Sequence, residues 1–278
     1  MATTLTTAGG RHLGTLWAYR GLVMNLAIRD LKLKYKGSVL GVLWSVLNPL
    51  LMMAIYTVVF SLFLRAVILP DYWALVLAGI LTWVFFSTAL TAASVSFTHN
   101  ANLINKVAFP YESLPIATVI ANFVNFLIME VILLVVLVLA QSVLHRQVGL
   151  RPPAVLLPVI LAAILACGLG LSLFLATLTV YFRDVEHLVG IGLSALFYVT
   201  PVLYPLDARA LPHGAARFIP YLRLNPFSWF FESIHSVLYY GTWPDWPTFG
   251  LMLIASAAAL VGGYAFFMWL RPRIPEEV

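Results

Sequence analysis

The chain has 278 residues, of which 62% are hydrophobic and only 10% are charged. A soluble globular domain carries roughly 25% charged residues, so this composition excludes an ordinary water-soluble fold. The net charge of +5 does not indicate a nucleic-acid partner, because no basic patch is interleaved with stacking aromatic residues outside the apolar runs. Cys167 is the only cysteine, which excludes an intramolecular disulfide.

The N-terminal segment, residues 1–36, is predicted to be cytoplasmic. It begins with MATTLTTAGGRHLG, which lacks the apolar core and cleavage site of a signal peptide, and we expect a disordered start. Residues 13–28 combine apolar side chains with Arg20, and they place Trp17 and Tyr19 where a membrane interface favours aromatic rings. The pattern favours an amphipathic helix on the inner membrane face. A helix packed on a soluble partner is the alternative.

Six apolar segments are candidates for membrane-spanning helices, each of which needs about 20 mainly apolar residues. In chain order they are residues 37–64, 72–97, 114–144, 153–182, 188–203 and 248–270. The fifth segment is the shortest and lies at the low edge of spanning length. The sequence therefore predicts an all-α integral membrane protein, with residues 37–270 as one six-span transmembrane domain and residues 271–278 as a cytoplasmic tail.

The basic residues predict the orientation of these helices. Positive residues near spans remain on the cytoplasmic side, and a dense group of them precedes the first span. An even number of spans then puts both termini in the cytoplasm. Arg65, Arg146 and Arg151 would lie outside, which weakens this interpretation without reversing it.

The segment between the fifth and sixth spans, residues 208–240, is aromatic and apolar but contains three prolines. A lipid-exposed helix could not contain such breaks, because its backbone groups would lack hydrogen-bond partners. We expect two short re-entrant helices, near residues 210–220 and 227–240, that enter the outer leaflet and return. A plain external loop is the alternative, and the aromatic density argues against it.

The sequence contains no motif for hydrolysis or metal chemistry. None of the four lysines belongs to a G-x-x-x-x-G-K-[ST] motif, so the chain does not bind ATP through a P-loop. The six histidines and the single cysteine lack metal-ligand spacing, and no G-x-S-x-G motif occurs. We therefore expect no catalytic site, metal or cofactor in this chain.

Glu130 is the single carboxylate within a predicted span. An ionisable residue inside the bilayer is costly and faces protein or water, so it could form a proton or substrate site. The other interpretation is a buried interhelical hydrogen bond, which Asn122 and Asn125 nearby would support. We favour the hydrogen bond, because a proton-coupled carrier typically uses more than one such carboxylate.

Five motifs occur in a characteristic order across roughly residues 29–270. They are LKLKYKGSVLGVLWSVLNPLLMMAIYTVVFSLFLR at 31–65, NLINKVAFPYESLPIA at 102–117, YFRDVEHL at 181–188, TPVLYP at 200–205 and NPFSWFFESIHSVLYYG at 225–241. Together they resemble the membrane subunits of ABC exporters for lipid-linked polysaccharide, which transport O-antigens, teichoic acids and related glycans. The form KYKGSVLGVLW is closer to the O-antigen and teichoic acid branch than to the capsule branch.

The resemblance implies a permease in the bacterial cytoplasmic (inner) membrane. Two copies of the chain would form a channel for a polysaccharide carried on undecaprenyl pyrophosphate. Two copies of a separate ATP-binding ABC subunit would hydrolyse ATP with Mg. A cytoplasmic loop with exposed aromatic anchors would dock on that ATPase, although a plain connecting loop is the alternative. The loop residues are Asn105, Lys106, Phe109, Pro110, Tyr111 and Glu112.

Two other classes of function compete with this interpretation. A secondary carrier or channel for a small solute would use Glu130 and work without an ATPase. A membrane enzyme acting on lipid-linked sugars would need paired acids at one membrane surface, and the sequence shows no such pair.

The basic residues before the first span have two candidate functions. They orient the first helix, and they lie at the depth where an anionic head group would approach the membrane. Arginine binds phosphate through a planar fork, whereas lysine acts as a point charge. The residues are Arg29, Lys32, Lys34 and Lys36, and we call them the basic collar.

Two helical stripes of polar and aromatic residues are candidates for the glycan path. Aromatic rings stack on the C–H faces of sugars without one fixed hydrogen-bond pattern. Packing between helices or against lipid is the alternative, and Trp83 on the second span is expected to lie away from the path. The stripes are Asn48, Met52, Tyr56, Phe60 and Phe63 on the first span, and Gly190, Ser194, Phe197, Pro201 and Tyr204 on the fifth, with Tyr198 as a further contact.

Overall fold

The computed structural model describes residues 19–41, 43–63, 69–106, 109–146, 148–207 and 215–274. Within these ranges the chain forms helices, turns and loops and no strand, so the all-α prediction is confirmed. The α-helices are α1 (Arg20–Tyr35), α2 (Leu43–Thr57), α3 (Tyr72–Ser94), α4 (Ser96–His99), α5 (Ala101–Lys106), α6 (Ser113–Ser142), α7 (Leu157–Tyr181), α8 (Val185–Val199), α9 (Ile219–Leu222), α10 (Pro226–His235) and α11 (Trp246–Leu270).

Five helical stretches are long and apolar enough to cross a membrane. They are Leu43–Ser61, Tyr72–Ser94, Ser113–Ser142, Pro152–Tyr181 and Trp246–Arg273. The shorter apolar helix α8 occupies the place of the predicted fifth span. Its 15 residues rise by about 22 Å, which is less than the roughly 30 Å of a hydrocarbon core. The multi-pass prediction is confirmed, and α8 would need the non-helical residues 200–207 to complete a crossing.

The boundary between α1 and α2 differs from the predicted start of the first span at residue 37. Gly37 and Gly41 have φ values of 79° and 50°, a left-handed conformation that favours glycine. The chain therefore turns between α1 and α2, and the spanning helix begins only at Leu43. Beyond α2 the helix continues as a π-helical segment, Val58–Phe63.

Helix α1 corresponds to the predicted interfacial helix but lies further along the chain. Residues 13–18 of that prediction lie outside the described residues, and the helix continues to Tyr35 instead of ending near residue 28. Its buried side chains Val23, Leu26 and Ala27 pack in a cluster with residues of α6 and α7. This packing explains why the helix continues through the basic collar.

The hydrophobic core has two parts. The larger part surrounds α3, in which 17 of 23 residues are buried. The smaller part, which we call the α1-side cluster, joins the ends of several helices. It contains Val23, Leu26, Ala27, Phe97, Ile104, Phe109, Leu114, Ala117, Ala121, Leu173, Ala176, Val180, Phe267 and Ile274.

Helices α7 and α11 approach each other most closely at two glycines. A Cβ on Gly170 would lie 2.1 Å from the carbonyl oxygen of Ala259, and a Cβ on Gly263 would lie 1.9 Å from that of Gly170. Small residues let membrane helices pack backbone to backbone. These contacts fix the last span against α7.

The segment before α11 is broken as the prolines predict. Helix α10 follows the short α9 and continues as a π-helical segment, Ser236–Tyr240, whereas residues 208–214 of the predicted first half-helix lie outside the described residues. The side chain of Asn225 caps α10 by accepting a hydrogen bond from the Phe227 amide at 3.0 Å. Because Phe230, Phe231 and Ile234 are buried, α10 packs inside the protein, as a broken helix at membrane depth requires.

Candidate functional site

The two predicted stripes meet in one groove between α2, α3 and α8. This groove, which we call the aromatic groove, has a volume of about 400 Å³. The rings of Tyr56 and Phe197 lie 5.9 Å apart between centroids, and Tyr198 extends from the wall with 71% of its surface exposed. The lining residues are Asn48, Met52, Tyr56, Ile80, Trp83, Val84, Ser87, Thr91, Gly190, Leu193, Ser194, Phe197 and Tyr198.

Trp83 lies inside the aromatic groove, and the expectation that it lies away from the path is wrong. Its ring meets the ring of Phe197 edge to face at a centroid distance of 5.5 Å. The position follows from the packing of α3 between α2 and α8. The sequences of the individual spans do not indicate that Trp83 lies beside Phe197.

The ends of both stripes lie outside the lining of the aromatic groove. Helix α8 ends at Val199, so helical spacing no longer applies to Pro201, which is buried, or to Tyr204. The hydroxyl of Tyr204 donates to the carbonyl of Tyr198 at 3.0 Å. Phe60 packs beside Tyr56 at 6.3 Å. The side chain of Phe63 lies outside the described part of the structure.

A larger cavity of about 1050 Å³ lies between α1, α3 and α6. We call it the collar cavity. Arg29 pairs with Asp30 at 3.0 Å, and Asp30 also accepts a hydrogen bond from the hydroxyl of Thr118 at 3.2 Å. Other polar lining residues are Lys34, Ser87, Thr88, Thr91, Ser96, His99, Asn100, Asn122 and Glu186. This mixture of hydroxyl, amide and charged groups suits a polar ligand such as a sugar.

The collar cavity and the aromatic groove share Ser87 and Thr91 as lining residues. These residues lie one helical turn apart on α3. The two spaces are therefore adjacent along one face of α3, and together they connect the α1 end of the protein with the aromatic rings of α2 and α8.

The structure divides the basic collar between two cavities. Lys34 lines the collar cavity, whereas Lys32 and Lys36 line a separate cavity of about 860 Å³ between α1 and the flank of α6. We call the second space the flank cavity, and Arg29 borders both spaces. Partial desolvation lowers the pKa of Lys34 from its ordinary value, and a bound anion would raise it again.

The predicted coupling loop is less exposed than expected. Phe109 and Pro110 are buried, and Phe109 belongs to the α1-side cluster, so the expectation that its ring is exposed is wrong. Tyr111 is half-buried and meets Phe109 edge to face at 5.7 Å. Lys106, at the end of α5, is exposed. Residues 107–108 and the side chain of Asn105 lie outside the described part of the chain.

Glu112 also lies inside the protein, with 1% of its surface exposed. Its Oε2 atom is 3.9 Å from Nη2 of Arg271, which follows the last span. A buried carboxylate needs such a partner, because desolvation of an unpaired charge is costly. Glu112 therefore connects the coupling loop to the end of α11 instead of facing solvent.

Glu130 is 1% exposed on the buried face of α6. Neither of its carboxyl oxygens has a hydrogen-bond partner among the described residues. The interhelical hydrogen bond that we expected for Glu130 is therefore not formed among the described residues, and the Asn122 amide donates to the carbonyl of Thr118 on its own helix at 2.9 Å. Glu130 is also absent from the lining of the aromatic groove, the collar cavity and the flank cavity.

A further cavity of about 530 Å³ lies near α10 and the start of α11, and the sequence did not predict it. Arg223 and Glu232 in its wall form an ion pair of 3.0 Å. Asp245, which caps α11, accepts hydrogen bonds from the amide and hydroxyl of Thr248, and these bonds lower its pKa. These internal contacts account for Arg223, Glu232, Asp245 and Thr248 without a ligand.

The described residues contain no cluster of three or more His, Cys, Asp or Glu side chains that could hold a metal ion. The collar cavity and the aromatic groove, which lie beside α3, are instead lined by hydroxyl, amide and aromatic groups. Such groups are able to form hydrogen bonds and stacking contacts with a ligand.

Comparison with known proteins gives one family and several close relatives. The family described as ABC-2 type transporter matches residues 22–239. The chain is similar to the O-antigen export system permease protein RfbA of Myxococcus xanthus, with 33% identity over 270 residues that cover 96% of this chain and 99% of the relative. It is also similar to two RfbA permease proteins of Klebsiella pneumoniae, each 30% identical over 268 residues that cover 95% of this chain and 96% of the relative.

Proposed function

The chain belongs to the ABC-2 type transporter family, and on that premise we propose that it is the permease subunit of an ATP-driven polysaccharide exporter. The cargo is a glycan of the O-antigen class, as the names of its relatives suggest, carried on a lipid pyrophosphate such as undecaprenyl pyrophosphate. The membrane is the bacterial cytoplasmic membrane, with both termini of the chain in the cytoplasm.

The adjacency of the collar cavity and the aromatic groove is the observation that carries this proposal. The head group of the cargo enters the collar cavity, where Arg29 and Lys34 attract phosphate. Hydroxyl and amide groups there, with Asp30, exchange hydrogen bonds with the first sugars. The glycan then passes Ser87 and Thr91 into the aromatic groove.

The aromatic groove supplies contacts that a moving polymer can exchange. The rings of Tyr56, Phe197 and Tyr198 present apolar faces to the C–H faces of sugars, and Asn48 and Ser194 offer hydrogen bonds beside them. A groove open along one side does not enclose a chain. A second copy of the protein, placed against α2 and α8, completes the channel.

The energy for transport comes from a separate ATP-binding ABC subunit, in two copies, which binds ATP and Mg. The exposed residues Asn102 and Lys106 of α5, together with Tyr111, form the surface that contacts this subunit. Phe109, Pro110 and Glu112 lie beneath that surface. They transmit its movement to the α1-side cluster and, through Arg271, to the last span.

Substitution of aromatic groove residues tests the proposed path. Tyr56→Ala and Phe197→Ala remove stacking surfaces that are worth about 1 kcal/mol each, which corresponds to about fivefold in rate. We expect export of surface polysaccharide to fall by at least that factor, while membrane insertion and basal ATP hydrolysis of the assembled complex remain near wild type. Immunoblots of cell-surface glycan and ATPase assays on the purified complex measure these quantities.

Ile55→Ala is the matched control, because Ile55 precedes Tyr56 on α2 and is exposed on another face. Export by this variant should remain near wild type. The proposed path would be contradicted if Ile55→Ala reduced export as much as the two groove variants do. It would also be contradicted if the groove variants, but not Ile55→Ala, failed to assemble. Trp83 is unsuitable as a control because it lines the groove.

A further inference from the structure

The flank cavity lies beside the collar cavity, with which it shares Arg29, Leu31 and Leu33 of α1, but Lys32 and Lys36 line the flank cavity alone. Its walls come from α1 and from the outward face of α6. We propose that it binds an anionic phospholipid of the membrane leaflet that contacts α1, and that this lipid is not the transported one. The lining residues are Asn25, Ile28, Arg29, Leu31, Lys32, Leu33, Lys36, Val124, Asn125 and Ile128.

The charges of the flank cavity fit a phosphate. Lys32 lies in the last turn of α1 and Lys36 directly follows the helix, and both side chains line the same cavity. Within the described ranges, neither lysine has a carboxylate within ion-pair distance. The lining of this cavity also contains no acid, whereas Asp30 and Glu186 line the collar cavity. An anionic head group therefore meets only attractive charges in the flank cavity.

The apolar wall of the flank cavity fits an acyl chain. Val124 and Ile128 are exposed at the cavity, and the exposed stripe continues along α6 through Val131, Val135 and Val138. The spacings of four, three, four and three keep this stripe on one side of the helix. A lipid whose phosphate sits at Lys32 and Lys36 can extend its chain along this stripe without leaving the hydrocarbon region.

The position of the flank cavity argues for a resident lipid rather than for the cargo. Its lining shares no residue with the aromatic groove. It shares Arg29, Leu31 and Leu33 with the collar cavity, but its two lysines and its α6 wall of Val124, Asn125 and Ile128 do not line the collar cavity. A lipid in the flank cavity bridges both helices and holds α1 against α6. It thereby supports the wall of the collar cavity, to which Arg29, Asp30 and Lys34 belong.

Native mass spectrometry of the full chain in complex with its ATPase can test this site. The purified complex is titrated with phosphatidylglycerol and, separately, with phosphatidylcholine of the same acyl chains. Phosphatidylglycerol should bind more tightly. The double variant Lys32→Gln, Lys36→Gln should lose about 25-fold in affinity for it, since each basic residue near an anionic head group adds an attraction equivalent to about fivefold. Lys34→Gln, on the same helix but in the other cavity, should retain the wild-type affinity.

A second variant leaves the charges in place. Ile128→Trp fills the apolar part of the flank cavity and should reduce phosphatidylglycerol binding without altering Lys32 or Lys36. The proposal would be overturned if the complex bound both phospholipids with equal affinity. It would also be overturned if Lys34→Gln lost as much affinity for phosphatidylglycerol as the double variant does. Displacement of phosphatidylglycerol by an equimolar polyisoprenyl pyrophosphate would also overturn it, because the cavity would then belong to the cargo.

Discussion

Helices α2 and α3 are neighbours with nearly the same mean hydropathy, but they differ in how far they are buried in the protein. Only one residue of α2, Pro49, is buried, whereas 17 of the 23 residues of α3 are buried. On α3, Phe85 stacks with Phe126 of α6, and Phe86 meets Phe227 and Phe230 of α10. Of the 15 residues of α2, seven are exposed and seven are half-buried.

The difference shows that apolar character places a helix in the membrane but does not select its neighbours. Lipid tails are as apolar as leucine, so an apolar side chain gains little by exchanging lipid for protein. Close packing and small residues decide instead which helix becomes central. Helix α3 therefore acts as the fixed support, and α2 presents a surface that a second copy and a moving glycan can use.

A larger residue in place of Gly79 on α3 should have the greatest effect on stability. A Cβ on Gly79 would lie 2.1 Å from the carbonyl oxygen of Val202, and within 3.1 Å of Nε2 of His235. Gly79→Val forces backbones apart and should cost more than about 3 kcal/mol, so little folded protein should survive detergent extraction. Fluorescence-detected size-exclusion chromatography and a thermal melt measure this loss.

Ala54→Val is the control on α2, where residue 54 is exposed. It adds two carbon atoms, against three for Gly79→Val, and it should leave the melting temperature within a few degrees of wild type. If both variants fold equally well, α3 is not the fixed support that its burial indicates.

The exposed surface of α2 should form a contact between copies in the assembled exporter. In a Cys167→Ala background, Met52→Cys places a thiol at an exposed position of α2, and a short bismaleimide should convert much of the protein to a covalent dimer. Denaturing gel electrophoresis of membranes containing the ATPase partner shows the product.

Val135→Cys provides the comparison, since residue 135 of α6 is equally apolar and exposed but lies on the stripe that we assign to lipid. It should remain monomeric. Cross-linking at Val135 with none at Met52 would place the second copy against α6 and would remove α2 from the channel wall.

Much of this architecture follows from the sequence, because membrane spans depend on local composition. The order of the apolar segments, the breaks after residue 208 and the meeting of the stripes on α2 and α8 agree with expectation. Features that depend on packing between distant segments were missed. Trp83 joins the aromatic groove through α3, and Phe109 is covered by the α1-side cluster.

The division of the basic collar shows the same limit. Arg29, Lys32, Lys34 and Lys36 form one group along the sequence, yet a helix directs neighbouring residues to different sides. The α1–α6 contact then separates Lys34 from Lys32 and Lys36. Helical periodicity gives the different directions of these side chains, and the position of α6 determines which cavity each of them lines.

Substitution of Glu130 is expected to have the smallest effect on export and stability. It tests whether a carboxyl group that is buried beside α3 has a function in transport. Glu130 lies on the buried face of α6, the helix that packs along α3, and it lines none of the three cavities at which we place ligands. Glu130→Gln preserves the shape of the side chain but cannot release a proton. Export should remain within about twofold of wild type, and stability should change by less than about 1 kcal/mol.

Glu112→Gln is the matched control for this last prediction. Both glutamates are 1% exposed, but among the described residues Glu112 has a cation within ion-pair distance, Arg271 at 3.9 Å, and Glu130 has none. Loss of the Glu112 charge leaves Arg271 without this carboxylate, so Glu112→Gln should lower both stability and export more than Glu130→Gln does. A secondary carrier predicts the reverse order, with transport abolished at Glu130 and independent of the ATPase. Glycan export and melting temperature, measured for both variants, therefore separate a structural carboxyl group in α6 from a proton-coupling site.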